Sequence, residues 1–347
     1  MKANNKIKVL VVDDAAFMRK ALTEILESDS GIQVVDSARN GMEGLDKIKR
    51  LRPDVVTLDI DMPVMDGLSA IRHIMIESPV PIVILSSLFS DGAITFDALR
   101  LGVVDFIPKP SGAISEDIDR SKKRIIDRIK IACSVNLENI RRVRIPKWDP
   151  KGRLVDRYGF HPLDYIVALG TTLSGPNTVI RLLTKLPPTL PTALVVVQEI
   201  SPKIISSFVK HFDEYVPWKI ETAQNGSVLE QGVCYISSNE NLLSLHLDAK
   251  GEVRVKLDKG VHRPLNLLFS SAAEIFQQNT IGVLLTGLGD DGADGLARIK
   301  EKFGITIAQD TKCCVYPNLT HNAIQNGVAD MVLNEREISK TIQRIMR

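Results

Sequence analysis

Four short apolar runs in the first third of the chain each stop at a residue able to do chemistry. That pattern constrains the fold more than any other feature. Residues 8–12 end at Asp13 and Asp14, residues 54–58 at Asp59, residues 81–85 at Ser86, and residues 103–108 at Lys109. Between them lie stretches of helical periodicity; Phe17, Ala21, Leu22 and Ile25 fall on one face. Arg39, Asn40 and Gly41 mark a turn before the next helix. Strand–helix alternation predicts a parallel sheet with right-handed crossovers. All carboxyl ends of such strands lie on one edge, where open α/β sheets bind ligands. The five side chains then meet. Three carboxylates repel one another unless a hard cation lies between them, and their oxygens suit Mg²⁺. A hydroxyl and an ammonium add contacts for a phosphoryl group. The cluster reads as a site where one aspartate accepts a phosphoryl group. A bland reading, strand-end caps and solvated turns, fits one aspartate better than five matched positions.

Residues 7 to about 126 resemble a response-regulator receiver domain. The likeness rests on Val11-Val12-Asp13-Asp14, on Leu58 to Pro63, on Met65-Asp66-Gly67, on Ser86-Ser87-Leu88, and on Asp105 to Pro110. It implies Asp59 as phospho-acceptor and Asp13, Asp14 and Asp59 as Mg²⁺ ligands. It also implies Ser86 and Lys109 as contacts of the phosphoryl group, and Phe106 as the aromatic switch residue.

Length and composition set the frame for the rest. With 347 residues, two ordinary domains are expected. A net charge of +2 gives no field that argues for nucleic acid or an anionic membrane surface. No apolar stretch approaches the ~20 residues of a membrane helix, and the first apolar run is too short for a signal segment. Cys133, Cys234, Cys313 and Cys314 show no metal-like spacing and read as reduced thiols of a cytoplasmic protein. From Asp119 to Arg144 basic residues come densely over an apolar stripe of Ile125, Ile126, Ile129 and Ala132; this is expected to be the last receiver helix with a solvated charged face. Residues 145–152 are turn-rich and read as linker. The expected organisation is a receiver over 1–126, a linker over 127–160 and a second domain over 161–347.

In the second domain, residues 165–169, 193–198, 281–286 and 304–308 predict strands buried on both faces, hence a covered parallel sheet. Residues 233–236, 242–246 and 252–256 predict short alternating or hairpin strands. Three loops follow strands and look built for chemistry: 170–176, 198–202 and 286–293. The last has glycines at Gly287, Gly289 and Gly292 beside Asp290 and Asp291, which lets backbone approach a bound group closely.

Together with the receiver, these loops resemble the chemotaxis protein-glutamate methylesterases (the CheB family) over essentially the whole chain. Supporting stretches are Val195 to Gln198, Val261 to Pro264 with Leu268 and Phe269, Leu285 to Ala293, and Thr306 to Gln309. The resemblance implies two doubly wound parallel-sheet α/β domains, a flavodoxin-like receiver and a larger α/β hydrolase-type domain. It implies a sensor histidine kinase as phosphodonor, a methyl-accepting chemoreceptor as substrate, and a Ser-His-Asp arrangement uncovered by receiver phosphorylation. No nucleic-acid partner and no membrane insertion are expected.

The catalytic arrangement does not carry over intact. Thr172 stands at the serine position, Glu199 at the histidine position, and only the aspartate is kept, as Asp291. A glutamate starts near ~4.3 and is a weak base at neutral pH. If Asp291 lies beside it, the two carboxylates repel and one pKa rises. The γ-methyl of Thr172 crowds its oxygen and stiffens χ1. Ser174 is a hydroxyl two residues away, at a family glycine. His262 belongs to a stretch the family shares, whereas His161, His211, His246 and His321 lie outside the three loops. Near the C-terminus, Val315-Tyr316-Pro317 replaces the family's Gly-Met-Pro. Two functions fit: a phosphorylation-gated receptor hydrolase with altered residues, or a switchable binding protein, docking to receptor or kinase or acting as a phosphate sink. A transcriptional regulator fits poorly, because no recognition-helix domain follows the receiver.

Overall fold

The computed structural model describes residues 6–86, 92–109, 116–135, 139, 163–173, 175–260 and 262–346. The chain divides into two compact units, Met1–Arg142 and Val143–Arg347. The expected linker over 145–152 lies outside the described residues, as do Ser87, Leu88, Pro110, His161 and Ser174.

The first unit runs β1 (Ile7–Val12), α1 (Ala16–Glu27), β2 (Ile32–Ala38), α2 (Gly41–Leu51), β3 (Val55–Leu58), α3 (Gly67–Glu77), β4 (Ile82–Ser86), α4 (Gly92–Leu101), β5 (Asp105–Pro108) and α5 (Glu116–Cys133). Its five strands are ordered β2-β1-β3-β4-β5 and all pair in parallel. The apolar runs are buried on both faces because helices cover both. Leu10, Val12, Val56, Leu58, Ile82 and Ile84 pack against Leu45, Ile48, Ile71 and Ile74 of α2 and α3. Asn40 and Asp66 cap these helices, accepting from the N–H of Glu43 and Ser69.

Three details differ from expectation. In α1 the buried face is Leu22, Ile25 and Leu26, while Phe17, in the first turn, is 77% exposed. The helix α5 continues to Cys133, so it takes in the first residues of the expected 127–160 linker. Its charges are not all solvated: Arg128 is half-buried and lies 3.6 Å from Asp105.

The second unit runs β6 (Tyr165–Gly170), α6 (Gly175–Leu183), β7 (Thr192–Gln198), α7 (Ile205–Asp213), β8 (Lys219–Thr222), β9 (Val233–Ser238), β10 (Asn241–Leu247), β11 (Val253–Lys259), α8 (Pro264–Phe276), β12 (Thr280–Leu284), α9 (Ala293–Glu301), β13 (Ile305–Gln309), α10 (Asn318–Gln325), β14 (Met331–Leu333) and α11 (Glu335–Ile345). A seven-stranded parallel sheet has the order β14-β13-β12-β6-β7-β9-β8. Strands β10 and β11 form the expected hairpin. Residues 233–236 do not: they belong to β9, buried throughout and paired with β7. Strands β6, β7 and β12 are adjacent in the sheet, so the three loops singled out in the sequence leave from one edge.

Candidate functional site

The carboxyl edge of the first sheet gathers the five sequence-singled residues. Asp13 follows β1 and its N–H donates to the carbonyl of Ala38 at 3.0 Å. Asp59 follows β3 and its N–H donates to the carbonyl of Val12 at 2.9 Å. Each carboxylate also takes one local backbone donor, Ala15 N–H on Asp13 and Ile60 N–H on Asp59. Both side chains are buried, whereas Asp14 is exposed. Lys109 follows β5, and its Nζ lies 2.6 Å from Asp59 Oδ2 and 2.7 Å from Asp13 Oδ2. Ser86, fully buried, closes β4 opposite Pro108. Phe106 is buried in β5. Arg19 reaches back from α1 to donate to the carbonyls of Asp13 and Asp14, fixing the loop that carries both.

Close approach demands glycine at one point. Gly67 begins α3 against the backbone of Asp59, where an added Cβ would lie 2.3 Å from the Asp59 carbonyl oxygen. The intervening loop is bound by Gly67 N–H to the Ile60 carbonyl and Gly41 N–H to the Met65 carbonyl. It forces Val64 to a φ of 70°, a conformation that β-branched residues rarely adopt.

The electrostatics follow from burial. Desolvation pushes the Asp13 carboxyl above its ordinary value, against the opposing pull of Lys109. Desolvation also pulls Lys109 down, but its bonds to Asp13 and Asp59 together outweigh this and hold the ammonium above its ordinary range. One oxygen from each of Asp13, Asp14 and Asp59 lies within 4.8 Å of the others. Three carboxylates against one ammonium leave negative charge in excess, and an all-oxygen donor set fits a hard divalent cation.

In the second unit the loop after β12 is the focus. Thr172, just past β6, accepts a hydrogen bond from Leu288 N–H at 2.7 Å and donates its hydroxyl to the Leu288 carbonyl at 3.1 Å. Its neighbour Thr171 donates to the Thr286 carbonyl at 2.6 Å. Thr286 N–H is held by Gln309 Oε1, and Gly287 N–H donates to the carbonyl of Tyr316. An added Cβ at Gly287 would lie 2.4 Å from Thr172 Oγ1, so only glycine lets this loop lie against the end of β6.

Asp291 lies further along the same loop. Its Oδ2 accepts from Leu265 N–H at 2.8 Å, and its Oδ1 from Asn266 N–H at 3.1 Å and Gly292 N–H at 2.8 Å. These donors stand at the N-terminal ends of α8 and α9, so one carboxylate caps two helices. Asn266 completes the knot, accepting from Gly292 and Gly295 N–H. Burial pushes the Asp291 carboxyl up, against these backbone donors and the nearby Arg263. The rise at Asp291 therefore comes from its own burial and not from the carboxylate repulsion expected of a Glu199–Asp291 pair. Glu199 is half-buried and follows β7.

Comparison with known proteins accounts for both units. Residues 9–116 match the response regulator receiver domain and residues 167–342 match the CheB methylesterase family. The protein-glutamate methylesterase/protein-glutamine glutaminase of Pyrococcus horikoshii is 37% identical over 345 residues, covering 97% of this chain and 93% of that protein. The chain belongs to the CheB methylesterase family. The corresponding protein of Geobacillus kaustophilus is also 37% identical, over 98% of this chain and 99% of its own length. The crystal structure of the Thermotoga maritima CheB methylesterase catalytic domain superposes with a TM-score of 0.50 at 31% identity, over 52% of this chain and 98% of that one. The CheB assignment agrees with the two parallel-sheet α/β domains described above.

Within the CheB frame, the positions implied for the serine and aspartate are both engaged by backbone. The hydroxyl of Thr172 is bound on both sides by Leu288, and Asp291 spends both oxygens on helix ends. Sequence reasoning singled out the glycine loop but missed what binds it: Thr171, Asn266, Gln309, Tyr316 and Asn322. The one signal available was the placement of Thr171 and Gln309 at strand ends and of Asn266 at a helix start; Tyr316 and Asn322 carried none.

Proposed function

We propose that this CheB-family protein is a cytoplasmic response regulator phosphorylated on Asp59 by a sensor histidine kinase, and that its second domain modulates chemoreceptor adaptation by binding and not by ester hydrolysis. Asp13, Asp14 and Asp59 would hold Mg²⁺, which supplies positive charge against the phosphoryl oxygens. Asp59 offers the accepting carboxylate. Lys109 neutralises the incoming charge, Ser86 lends a hydroxyl, and Phe106 is the aromatic that follows the state of the site. No helix among the described residues is long and apolar enough to cross a membrane, so a receptor partner would be met from outside the bilayer.

The observation that carries the output reading is the hydroxyl of Thr172. A hydroxyl has one proton, and here it is donated to the Leu288 carbonyl. A nucleophile needs that proton taken by a base of suitable pKa. Glu199 at the histidine position is a carboxylate, and Asp291 is committed to backbone N–H groups. A second reading, retained hydrolysis, is favoured by relatives named protein-glutamate methylesterase/protein-glutamine glutaminase. Two assays test the proposal. Labelling by a small acyl-phosphate donor should need Mg²⁺ and vanish in Asp59→Asn. Methanol release from methylated chemoreceptor should stay near background with the phosphorylated protein, while receptor binding is retained.

A further inference from the structure

The loop of residues 286–289 has nearly all its backbone polar groups bound within the domain. Thr286 uses its N–H on Gln309 and its carbonyl on Thr171. Gly287 uses its N–H on the Tyr316 carbonyl and its carbonyl on Leu319 N–H. The carbonyl of Gly289 accepts from Asn322 Nδ2 at 3.0 Å. Between them, the N–H and carbonyl of Leu288 have the same partner, the single oxygen of Thr172.

We infer that Thr172 is a positioning residue, a latch that holds the glycine loop against the end of β6 by binding both backbone groups of Leu288. Three observations meet here. The oxygen bridges both backbone groups of one residue at 2.7 Å and 3.1 Å. Gly287 leaves room for it, because an added Cβ there would stand 2.4 Å from the same oxygen. And a threonine at this place loses little freedom on forming the bridge, since its γ-methyl already restricts χ1. With Thr172 in place, the Leu288 N–H is occupied by the hydroxyl oxygen and is not offered to another acceptor. The inference deepens the reading of the output domain as non-hydrolytic and rests on it only in giving Thr172 no nucleophilic duty.

The test is amide exchange of the whole, unphosphorylated protein, followed at Leu288 and referenced to Val283 in the core of β12. In Thr172→Val and Thr172→Ala the exchange of Leu288 should quicken about tenfold or more relative to Val283, the cost of leaving a donor without its partner. In Thr172→Ser the protection should return to within a few-fold of the parent, because the hydroxyl is restored. Two variants are used because the valine methyl cannot occupy the 2.7 Å position of the oxygen and must displace the loop, whereas alanine only removes the contact. Unchanged Leu288 protection in both, or exchange in Thr172→Ser as fast as in Thr172→Ala, overturns the latch. Quickened exchange in Thr172→Ala together with measurable methanol release by the parent supports the latch geometry and overturns the non-hydrolytic reading, so failure of one is told apart from failure of the other.

Discussion

Lys109 lies 2.6 Å from Asp59 and 2.7 Å from Asp13, one ammonium shared by two buried carboxylates. The arrangement is charge-poor on the cationic side once Asp14 is counted, and it sets what the pocket will accept. A divalent cation relieves the excess; so does a change at Asp59 that moves the ammonium to new oxygens.

The first prediction concerns that cation. Mg²⁺ at about a hundred times its Kd is expected to stabilise the protein by about 2.7 kcal/mol. The Asp13→Asn variant is expected to lose most of this gain, and Lys109→Met to keep or enlarge it, since removing the ammonium leaves the carboxylates more in need of a counter-charge. Calorimetric unfolding with and without Mg²⁺ reads the difference. An Asp13→Asn protein that gains as much as the parent would refute the assignment of the ligands.

A second prediction tests the clamp behind Asp59. Gly67→Ala would place a Cβ 2.3 Å from the Asp59 carbonyl oxygen and 2.6 Å from Ile60 Cα. Backbone on both sides cannot yield cheaply, so the substitution is expected to cost about 2–3 kcal/mol. Urea unfolding measures it, and a cost below experimental error would show that the α3 start is freer than its contacts indicate.

Relief is expected one turn earlier. Val64 is held at a φ of 70° and is 79% exposed. A β-branched residue in this region is strained by about 1–2 kcal/mol, while its exposed side chain buries little. Asparagine tolerates the conformation. Val64→Asn should therefore raise stability by about 1 kcal/mol in the same unfolding experiment, and a destabilised variant would argue that the valine side chain has a packing partner after all.

The hairpin gives a pH signature. Asp248, just past β10, accepts from the Arg254 guanidinium at 2.6 Å and from Lys250 and Glu252 N–H. Its bond to Arg254, with these backbone donors, holds the carboxyl down at about 2, against an ordinary value of 3.8. The folded-state value lies below the unfolded one, so the contribution is present above pH 3.8 and is lost as pH falls toward 2. The stability difference between the parent and Asp248→Asn should shrink over that window. A difference that stays constant through it would mean the carboxylate charge is not what closes the turn.

What the chain disclosed in advance follows from the physics of each element. The strands β1, β3, β4 and β5 were legible because they are buried on both faces and end on polar residues, which leaves an unbroken apolar run with a sharp stop. Short edge strands were not: β8 and β14 are three or four residues long and only partly buried, so their sequences carry little pattern. Strand β9 was misread as hairpin-like because four residues are too few to show whether a strand is covered on one face or two. The five receiver residues were readable since each sits at a strand end. The partners of Thr172 and Asp291 were not, because they are largely backbone N–H and carbonyl groups of Leu288, Leu265 and Asn266, which every residue type but proline provides alike.

The account turns on whether Thr172 carries out chemistry. The direct measurement is methanol release from methylated chemoreceptor by the Mg²⁺-loaded, phosphorylated protein, beside Thr172→Ala and a CheB-family enzyme with serine and histidine at the two altered positions. The account predicts turnover roughly 10⁴–10⁶-fold below that enzyme and equal in the parent and Thr172→Ala. Robust turnover that Thr172→Ala abolishes would contradict it.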